Sequence, residues 1–465
     1  MTKSTSMLFA ALAVVALVAT GLPLSAQQAR PTAEPLTMAL TGDSIITQRL
    51  SVYDEPEFVN MIELIRRVDV AFTNLEMLFH DYEPYPMHQS GGTWMRADPS
   101  LVDDLVWLGF DMVARANNHT GDYGHLGMSL TTKYVAEAGL VQAGAGDNLA
   151  EAREAKFLET AHGRVALISV ASTFPDHSRA GRSRDNIPAR PGLSPLRFST
   201  TYTVTRERLE ELRVLLRELG LNTPEEGDAL QFRGNRFVVG DVPGIYTEPD
   251  ATDLAEIGAV VRNASRLADY TIVTIHAHEG DGGASVPAQF LVTFARAMID
   301  AGASVFVGHG PHVVRGIEIY EGRPILYSLA NFIFQNETLL RLPSENYEPY
   351  DLGPDAHVAD FNDRRYDNDQ RGFPAQREIW ESMIARLAWR NGKLESLELH
   401  PISLGFQTTR TERGRPRLAG PELSRKIIDD VARLSAPFGT AVVFEDGIGK
   451  VRLADHTAVS GSVGR

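Results

Sequence analysis

The chain has 465 residues, of which 43% are hydrophobic and 23% are charged, a composition typical of a globular protein with a substantial core. Its formal net charge of −15 argues against nucleic acid as a partner, because phosphate backbones require a basic surface. The absence of cysteine excludes disulfides, thiolate catalysis and thiolate metal ligands, so any bound metal must be held by nitrogen and oxygen atoms.

The N-terminal segment has the sequence pattern of a targeting signal. Lys3 precedes an apolar run from Met7 to Ala19, and the sequence becomes polar after Ala26. This pattern predicts a secretory signal peptide over residues 1–26 and hence a periplasmic or secreted protein. The alternative is an uncleaved segment that keeps the protein associated with a membrane, although the apolar run is short for a membrane span.

From Leu36 onward, short apolar runs alternate with amphipathic stretches, which is typical of α/β proteins. We predict strands near 36–44, 69–76, 111–119, 270–280 and 304–312. Helices are predicted at 57–68, 100–110 and 130–140, and a hairpin is predicted to turn at His162-Gly163.

This alternation is interrupted over residues 174–250, which contain an arginine- and proline-rich loop, a strong helix and irregular sequence. We interpret this segment as an insertion in a main domain of residues 36–410. Residues 411–465 then form a C-terminal extension with one helix and a small β unit.

Polar side chains follow five of the predicted strands at the point where each strand ends. They are Asp43, Glu76, Asn118 with His119, His276 with His278, and His309 with His312. Because the carboxyl ends of parallel strands meet at one edge of a sheet, these side chains are expected to lie close together. Glycines precede two of them, and we expect Gly42 and Gly308 to let the backbone turn.

The side chains at these strand ends are suitable ligands for divalent metals. Carboxylate, amide and imidazole groups match Mn, Zn or Fe. A carboxylate can also bridge two ions about 3.5–4 Å apart, which is the usual separation in two-metal hydrolases. The sequence therefore predicts a site for one or two divalent ions.

Five motifs in order, Gly42-Asp43, "TNLE", "ANNHTGDYG", "IHAHEG" and "GHGPHV", resemble the CapA family. Proteins of that family are linked to poly-γ-glutamate capsule synthesis and share a calcineurin-like metallophosphoesterase fold. The match spans roughly residues 36–335. The resemblance implies a four-layer α/β sandwich, carrying here the insertion and a small α+β extension. It also implies a metal-dependent hydrolase that acts on a phosphate ester or a peptide-like amide in capsule or exopolymer metabolism.

The resemblance further implies a role for each polar side chain. Glu76 would be the bridging carboxylate and His119 the acid that assists the leaving group. The metal ligands would be Asp43, Glu76, Asn118, His276, His309 and His312.

Two departures from the family pattern weaken this ligand set. Ile45 stands where such phosphoesterases usually carry a histidine, and two residues rather than one separate His309 from His312. His278 or Glu279 could compensate, and Glu279 could also act as a general base. A one-metal enzyme is the alternative.

An arginine-rich loop opens the insertion and forms the main cluster of positive charge in an acidic protein. We expect Arg182, Arg184 and Arg190 to fold over the metal edge and bind a carboxylate or phosphate of the substrate. That substrate would be an anionic polymer, a small molecule or a peptide. The alternative for these residues is a solvated surface loop.

Two other functions are compatible with the same residues. Metal ions could acidify a Cα–H beside an amide, which would make the protein a peptide epimerase. The missing histidine at Ile45 also permits a non-catalytic envelope component of a capsule synthesis or export machine.

Overall fold

The computed structural model describes residues 34–222 and 226–453. From Pro35 onward, the described residues belong to one compact unit. The predicted signal peptide at 1–26 falls outside the described residues. Within the part of the chain that is described, no helix combines the length and the apolar character needed to cross a membrane.

The first of two large sheets has ten strands. Its main path, in spatial order, is Val442–Glu445, Ile448–Val451, Lys393–Ser403, Glu381–Arg390, Leu36–Ile45, Val70–Leu75, Met112–Ala114 and Val141–Ala143. Asn331–Phe334 pairs in parallel with Leu36–Ile45, and Arg417–Leu418 pairs antiparallel with Lys393–Ser403. The hairpin of Val442–Glu445 and Ile448–Val451, in the segment interpreted as a C-terminal extension, therefore lies at the edge of this sheet.

The second large sheet has six strands. Their spatial order is Ile317–Tyr320, Arg323–Leu326, Val305–His309, Tyr270–His276, Gly163–Ala171 and Lys156–Thr160. The central pairings are parallel, and the last two strands form the antiparallel hairpin expected around His162-Gly163.

Helices cover the outer faces of both sheets. Those beside the first sheet are Pro56–Arg66, Val102–Leu108 and Gly124–Glu137, and those beside the second are Ala251–Ala264 and Gln289–Asp300. The remaining helices are Leu149–Arg153, Arg206–Glu218, Ser344–Tyr347, Val358–Tyr366 and Pro421–Ser435. In the first helix, Pro56 fixes the starting turn, and apolar side chains recur at helical spacing from Phe58 to Ile65.

Three apolar clusters define the order of the layers. In the central cluster, Leu40 and Phe72 of the first sheet pack with Ile272 and Val307 of the second. The two outer clusters join each sheet to its own helices. The layers therefore run helix, sheet, sheet, helix, which confirms the four-layer α/β sandwich.

The segment interpreted as an insertion contains a small four-stranded sheet, in the order Ala229–Phe232, Asn235–Val239, Phe198–Val204 and Gly244–Pro249. Helix Arg206–Glu218 packs on it through Leu209 and Leu216, which meet Leu230. The segment interpreted as irregular after this helix thus folds into three strands. Their residues are mostly half-buried or exposed, so the apolar alternation that signals a strand is weak there.

Two leucines on different helices test the contribution of the outer core. Leu291 is fully buried in the outer cluster of the second sheet, whereas Leu215 is 50% exposed. Leu291→Ala should lower the free energy of unfolding by about 2–5 kcal/mol, because it leaves a cavity. Leu215→Ala should change it by less than about 0.5 kcal/mol. Urea unfolding of both variants checks this, and equal losses would contradict it.

Candidate metal centre

The centre forms where the carboxyl ends of strands from both sheets meet. Asp43 lies within strand Leu36–Ile45, and Glu76 directly follows strand Val70–Leu75. His276 and His309 are the last residues of adjacent parallel strands in the second sheet and lie opposite each other in register. Residues from both halves of the sandwich therefore contribute to one site.

Gly42 and Gly308 allow a close approach of neighbouring backbone rather than a turn. A β-carbon at Gly42 would lie 2.0 Å from the carbonyl oxygen of Ala330, and one at Gly308 would lie 2.2 Å from that of Tyr327. The amide of Asp43 donates to the same Ala330 carbonyl at 2.9 Å. Both glycines lie within strands and keep these ligand-bearing strands tightly packed, and at Gly42 the strand has a register shift, between Leu40 and Asp43, rather than a turn.

Two groups of side chains could each hold a metal ion. One comprises Glu76, His276 and His278, and the other comprises Asp43, Glu76 and His312. Within each group the potential ligand atoms all lie within 4.8 Å of one another. Glu76 belongs to both groups, as a bridging carboxylate would.

Glu76 is the least satisfied polar group of the centre. Both of its carboxylate oxygens are buried and accept no hydrogen bond. Burial raises the pKa of Glu76 well above its ordinary value, and the nearby charges of Asp43 and Asp122 raise it further. A buried carboxylate without donors is costly, and a cation would compensate it.

Two amide oxygens at the same site also lack a partner. Asn74 uses its Nδ2 to donate to Asp43 Oδ1 at 2.7 Å, and Asn118 uses its Nδ2 to donate to the Gly91 carbonyl at 2.9 Å. The Oδ1 atom of each asparagine is left buried and unpaired. Carboxylate and amide oxygens beside imidazole nitrogens fit a divalent ion such as Mn, Zn or Fe.

Asp43 is held in its charged form. Burial alone would raise its pKa, but electrostatic interactions with His276, His309 and His312 lower the pKa of Asp43 below its ordinary value. Its Oδ2 also accepts a hydrogen bond of 3.1 Å from the amide of Gly310. An ionised carboxylate is the form that binds a cation.

His276 and His278 approach each other, with 2.9 Å between their Nε2 atoms. Burial lowers the pKa of His276 to about 4 and that of His278 well below its ordinary value. Both imidazoles are therefore neutral near pH 7, as metal ligands must be. Ile45, which stands at the position where a ligand histidine was expected, packs in the apolar cluster between the first sheet and its helices. His278 brings an additional nitrogen into the group with Glu76 and His276.

His312 is oriented by Asn331, which the sequence did not single out. The Oδ1 atom of Asn331 accepts from His312 Nδ1 at 2.8 Å, so the lone pair of the neutral imidazole lies on Nε2. Asn331 is itself fixed by donating to the Ile379 carbonyl at 3.0 Å. The signal that could have found it is its place opposite Asp43 in a parallel strand pair.

His119 and Asp122 form a hydrogen-bonded pair beside the carboxylate of Glu76. Asp122 Oδ2 lies 2.7 Å from His119 Nδ1 and also accepts from the amide of Met95 at 2.8 Å. The other ring nitrogen, His119 Nε2, lies 3.6 Å from Glu76 Oε1. The carboxylate of Asp122 therefore fixes the ring with Nε2 towards the centre, the orientation needed to transfer a proton there.

The expected metal-ligand role of His309 does not fit its contacts. Its Nε2 lies 3.0 Å from the carbonyl oxygen of Thr41, and its Nδ1 lies 3.0 Å from the hydroxyl of Thr274. Both ring nitrogens are thus engaged by protein groups. Since Thr41 belongs to the first sheet and His309 to the second, this side chain connects the two sheets instead.

Glu279, the expected general base, and two of the arginines expected to bind the substrate form hydrogen bonds or ion pairs with other protein groups. The carboxylate of Glu279 accepts hydrogen bonds from the Ser172 and Thr173 hydroxyls at 2.8 and 2.9 Å. Arg182 pairs with Glu256 at 2.6 Å, and Arg190 donates to the Arg179 carbonyl at 2.9 Å. Arg184 is exposed. Arg182 and Arg190 are therefore held by protein groups rather than left free to bind a substrate.

Comparison with known proteins identifies relatives over most of the chain. The chain is 38% identical to each of the uncharacterised proteins y4sH and y4uA of Sinorhizobium fredii, over 90% of this chain and 93% of each relative. It is 23% identical to the capsule biosynthesis protein CapA of Bacillus anthracis, over 65% of this chain and 60% of that protein. A probable polyglutamine synthesis accessory protein of Mycobacterium tuberculosis is 28% identical, over 57% of this chain and 55% of its own length.

The family described as bacterial capsule synthesis protein PGA_cap matches residues 37–336. This range contains the five motifs that resemble CapA and every residue of the two candidate metal groups. The chain belongs to the bacterial capsule synthesis protein PGA_cap family.

Proposed function

We propose that this capsule-related protein is an exported, metal-dependent hydrolase of the CapA type. It would act on a phosphate ester or a peptide-like amide during capsule or exopolymer metabolism. The observation that supports this most directly is Glu76, a buried carboxylate without a hydrogen-bond donor that two groups of possible metal ligands share. The names of the relatives from Bacillus anthracis and Mycobacterium tuberculosis favour a capsule polymer or its precursor as the substrate.

The proposed centre holds two divalent ions, Mn, Zn or Fe. Asp43 and His312 would bind one ion, His276 and His278 the other, and Glu76 both. Asn74 and Asn118 would add their unpaired amide oxygens. When bound, such ions polarise the bond under attack and lower the pKa of water to near neutrality.

The chain's own residues would orient the reaction. Asp122 fixes the ring of His119, so that Nε2 can donate a proton to the leaving group. Asn331 fixes His312, and the proposed ligands are buried except for the half-buried His278, which limits access of bulk water. The chief argument for a non-catalytic envelope component is the missing ligand histidine at Ile45. His278 offers a ligand nitrogen to the same centre, and this weakens that argument.

Removing single ligands should change metal content in a defined way. We expect the wild-type protein to bind up to two ions and Glu76→Gln to lose both, because Glu76 is common to the two groups. His312→Ala and His278→Ala should each lose one ion. Inductively coupled plasma mass spectrometry after metal loading and dialysis would measure this.

His309→Gln provides the matched control, because glutamine retains a donor for the Thr41 carbonyl. It should bind as much metal as the wild-type protein. If His309→Gln folds normally but loses metal, His309 is a metal ligand after all. A wild-type protein that retains no metal after loading would refute the proposed centre.

The proton-donor role of His119 predicts a dependence on the leaving group. His119→Asn should slow hydrolysis of phenyl phosphate by about 10²–10⁴-fold, because the poor leaving group needs a proton. The loss should be much smaller with p-nitrophenyl phosphate, whose leaving group departs without one. Steady-state kinetics on both esters would measure the difference, and equal losses would contradict the role.

A screen of metals against substrates on the chain beginning near Gln27 tests the function itself. Phosphate monoesters, phosphate diesters and γ-glutamyl peptides cover the proposed bonds. Turnover that requires added metal and is abolished in Glu76→Gln supports hydrolysis. Deuterium exchange into a peptide without cleavage would support epimerisation instead. A metal-loaded protein that acts on none of these would favour the envelope component.

A further inference from the structure

Arg115 is a buried cation to which the proposed hydrolysis assigns no role. It follows strand Met112–Ala114 directly, and its side chain is 1% exposed. Its Nη1 donates to Gln142 Oε1 at 2.7 Å, and its Nη2 makes one long contact of 3.5 Å with the Met128 carbonyl. A guanidinium has five N–H donors, so most of its hydrogen-bonding capacity is unused.

The other buried arginines of the described chain are neutralised or fully engaged. Arg315 donates to the backbone carbonyls of four residues, Ala277, His278, Glu279 and Ala284. The remaining five each pair with a carboxylate, and they are Arg96, Arg153, Arg213, Arg413 and Arg415. Within residues 34–222 and 226–453, no carboxylate forms an ion pair with Arg115.

An uncompensated buried charge is expensive, and a bound anion would remove that cost. Burial lowers the pKa of Arg115 to about 9, so the side chain still carries its charge near pH 7. The guanidinium is planar and suits the two oxygens of a carboxylate. The chemistry at Arg115 therefore favours a ligand with a carboxylate group.

Arg115 lines a cavity of about 650 Å³. This size lies within the range of small-molecule sites. Met128, Leu140, Val141 and Phe157 contribute apolar surface to the wall. The cavity can therefore accommodate a side chain that is itself apolar.

Two carboxylates line the same cavity without a basic partner that neutralises them. Asp147 is 75% exposed and faces only His125, at 4.0 Å, and Glu151 is bonded to the neighbouring Asn148 side chain. Glu154, by contrast, pairs with Lys156 at 2.6 Å. A buried positive charge and exposed negative charges thus share one cavity, which complements a zwitterion and disfavours a polyanion.

We propose that this cavity binds a free amino acid with an apolar side chain. The carboxylate pairs with Arg115, and the ammonium group faces Asp147 and Glu151. The site lies outside the two metal groups and does not depend on the proposed hydrolysis.

Isothermal titration of the full chain with leucine, N-acetylleucine and leucinamide tests the proposal. The second ligand lacks the ammonium charge and the third lacks the carboxylate. Leucine should bind, and each analogue should bind at least about tenfold more weakly. No measurable leucine binding, or equal binding of leucinamide, would overturn the assignment.

Variants at both ends of the cavity complete the test. Arg115→Met should abolish leucine binding, while Arg115→Lys should retain part of it, with folding checked by circular dichroism. Because loss of a buried arginine can prevent folding, Glu151→Gln at the exposed rim serves as a second variant and should weaken binding about tenfold. Wild-type affinity in Arg115→Met or Glu151→Gln would contradict the proposal. Metal content should be unchanged in all variants, which separates this site from the metal centre.

Discussion

The organisation of the site depends on one carboxylate that the protein itself does not satisfy. Glu76 directly follows a central strand, is fully buried, and accepts no hydrogen bond from the described chain. Around it the fold places neutral imidazoles from one sheet and the ionised Asp43 from the other. Such an arrangement is unfavourable as a purely structural core and favourable as the surroundings of a cation. The tight strand packing and the fixed asparagines are understandable as means of holding this arrangement in place.

Local pattern predicted the alternation of strands and helices and the polar side chains at the strand ends, whereas the four-layer arrangement was implied by the resemblance to the CapA family. Apolar runs that end in a polar side chain identify strand ends, and the sandwich brings those ends to one place. The orientation of a ring does not follow from local pattern. His309 has the same strand-end position as His276, yet contacts with Thr41 on the other sheet and Thr274 on the adjacent strand engage both of its nitrogens.

The prediction for the arginine-rich loop was limited for the same reason, because ion pairs between residues far apart in the chain cannot be read from local sequence. Arg182 was expected at the substrate because an acidic protein needs positive charge there, but Glu256 on a distant helix neutralises it. Conversely, only the folded structure shows that Arg115 has no carboxylate partner, because this depends on every element packed around the side chain. The position of a lone cation in a sequence does not indicate whether it is compensated.

The proposed ligands come from both sheets, and this has a consequence for the stability of the whole fold. Asp43 and Glu76 belong to the first sheet, whereas His276, His278 and His312 lie at the ends of strands in the second. An ion bound between them cross-links segments more than two hundred residues apart in the chain. Since an ion that binds only the folded state shifts the folding equilibrium by mass action, the two halves would separate more readily when metal is scarce. Availability of metal in the surroundings would then govern how long the protein survives proteolysis, independently of any reaction that it performs.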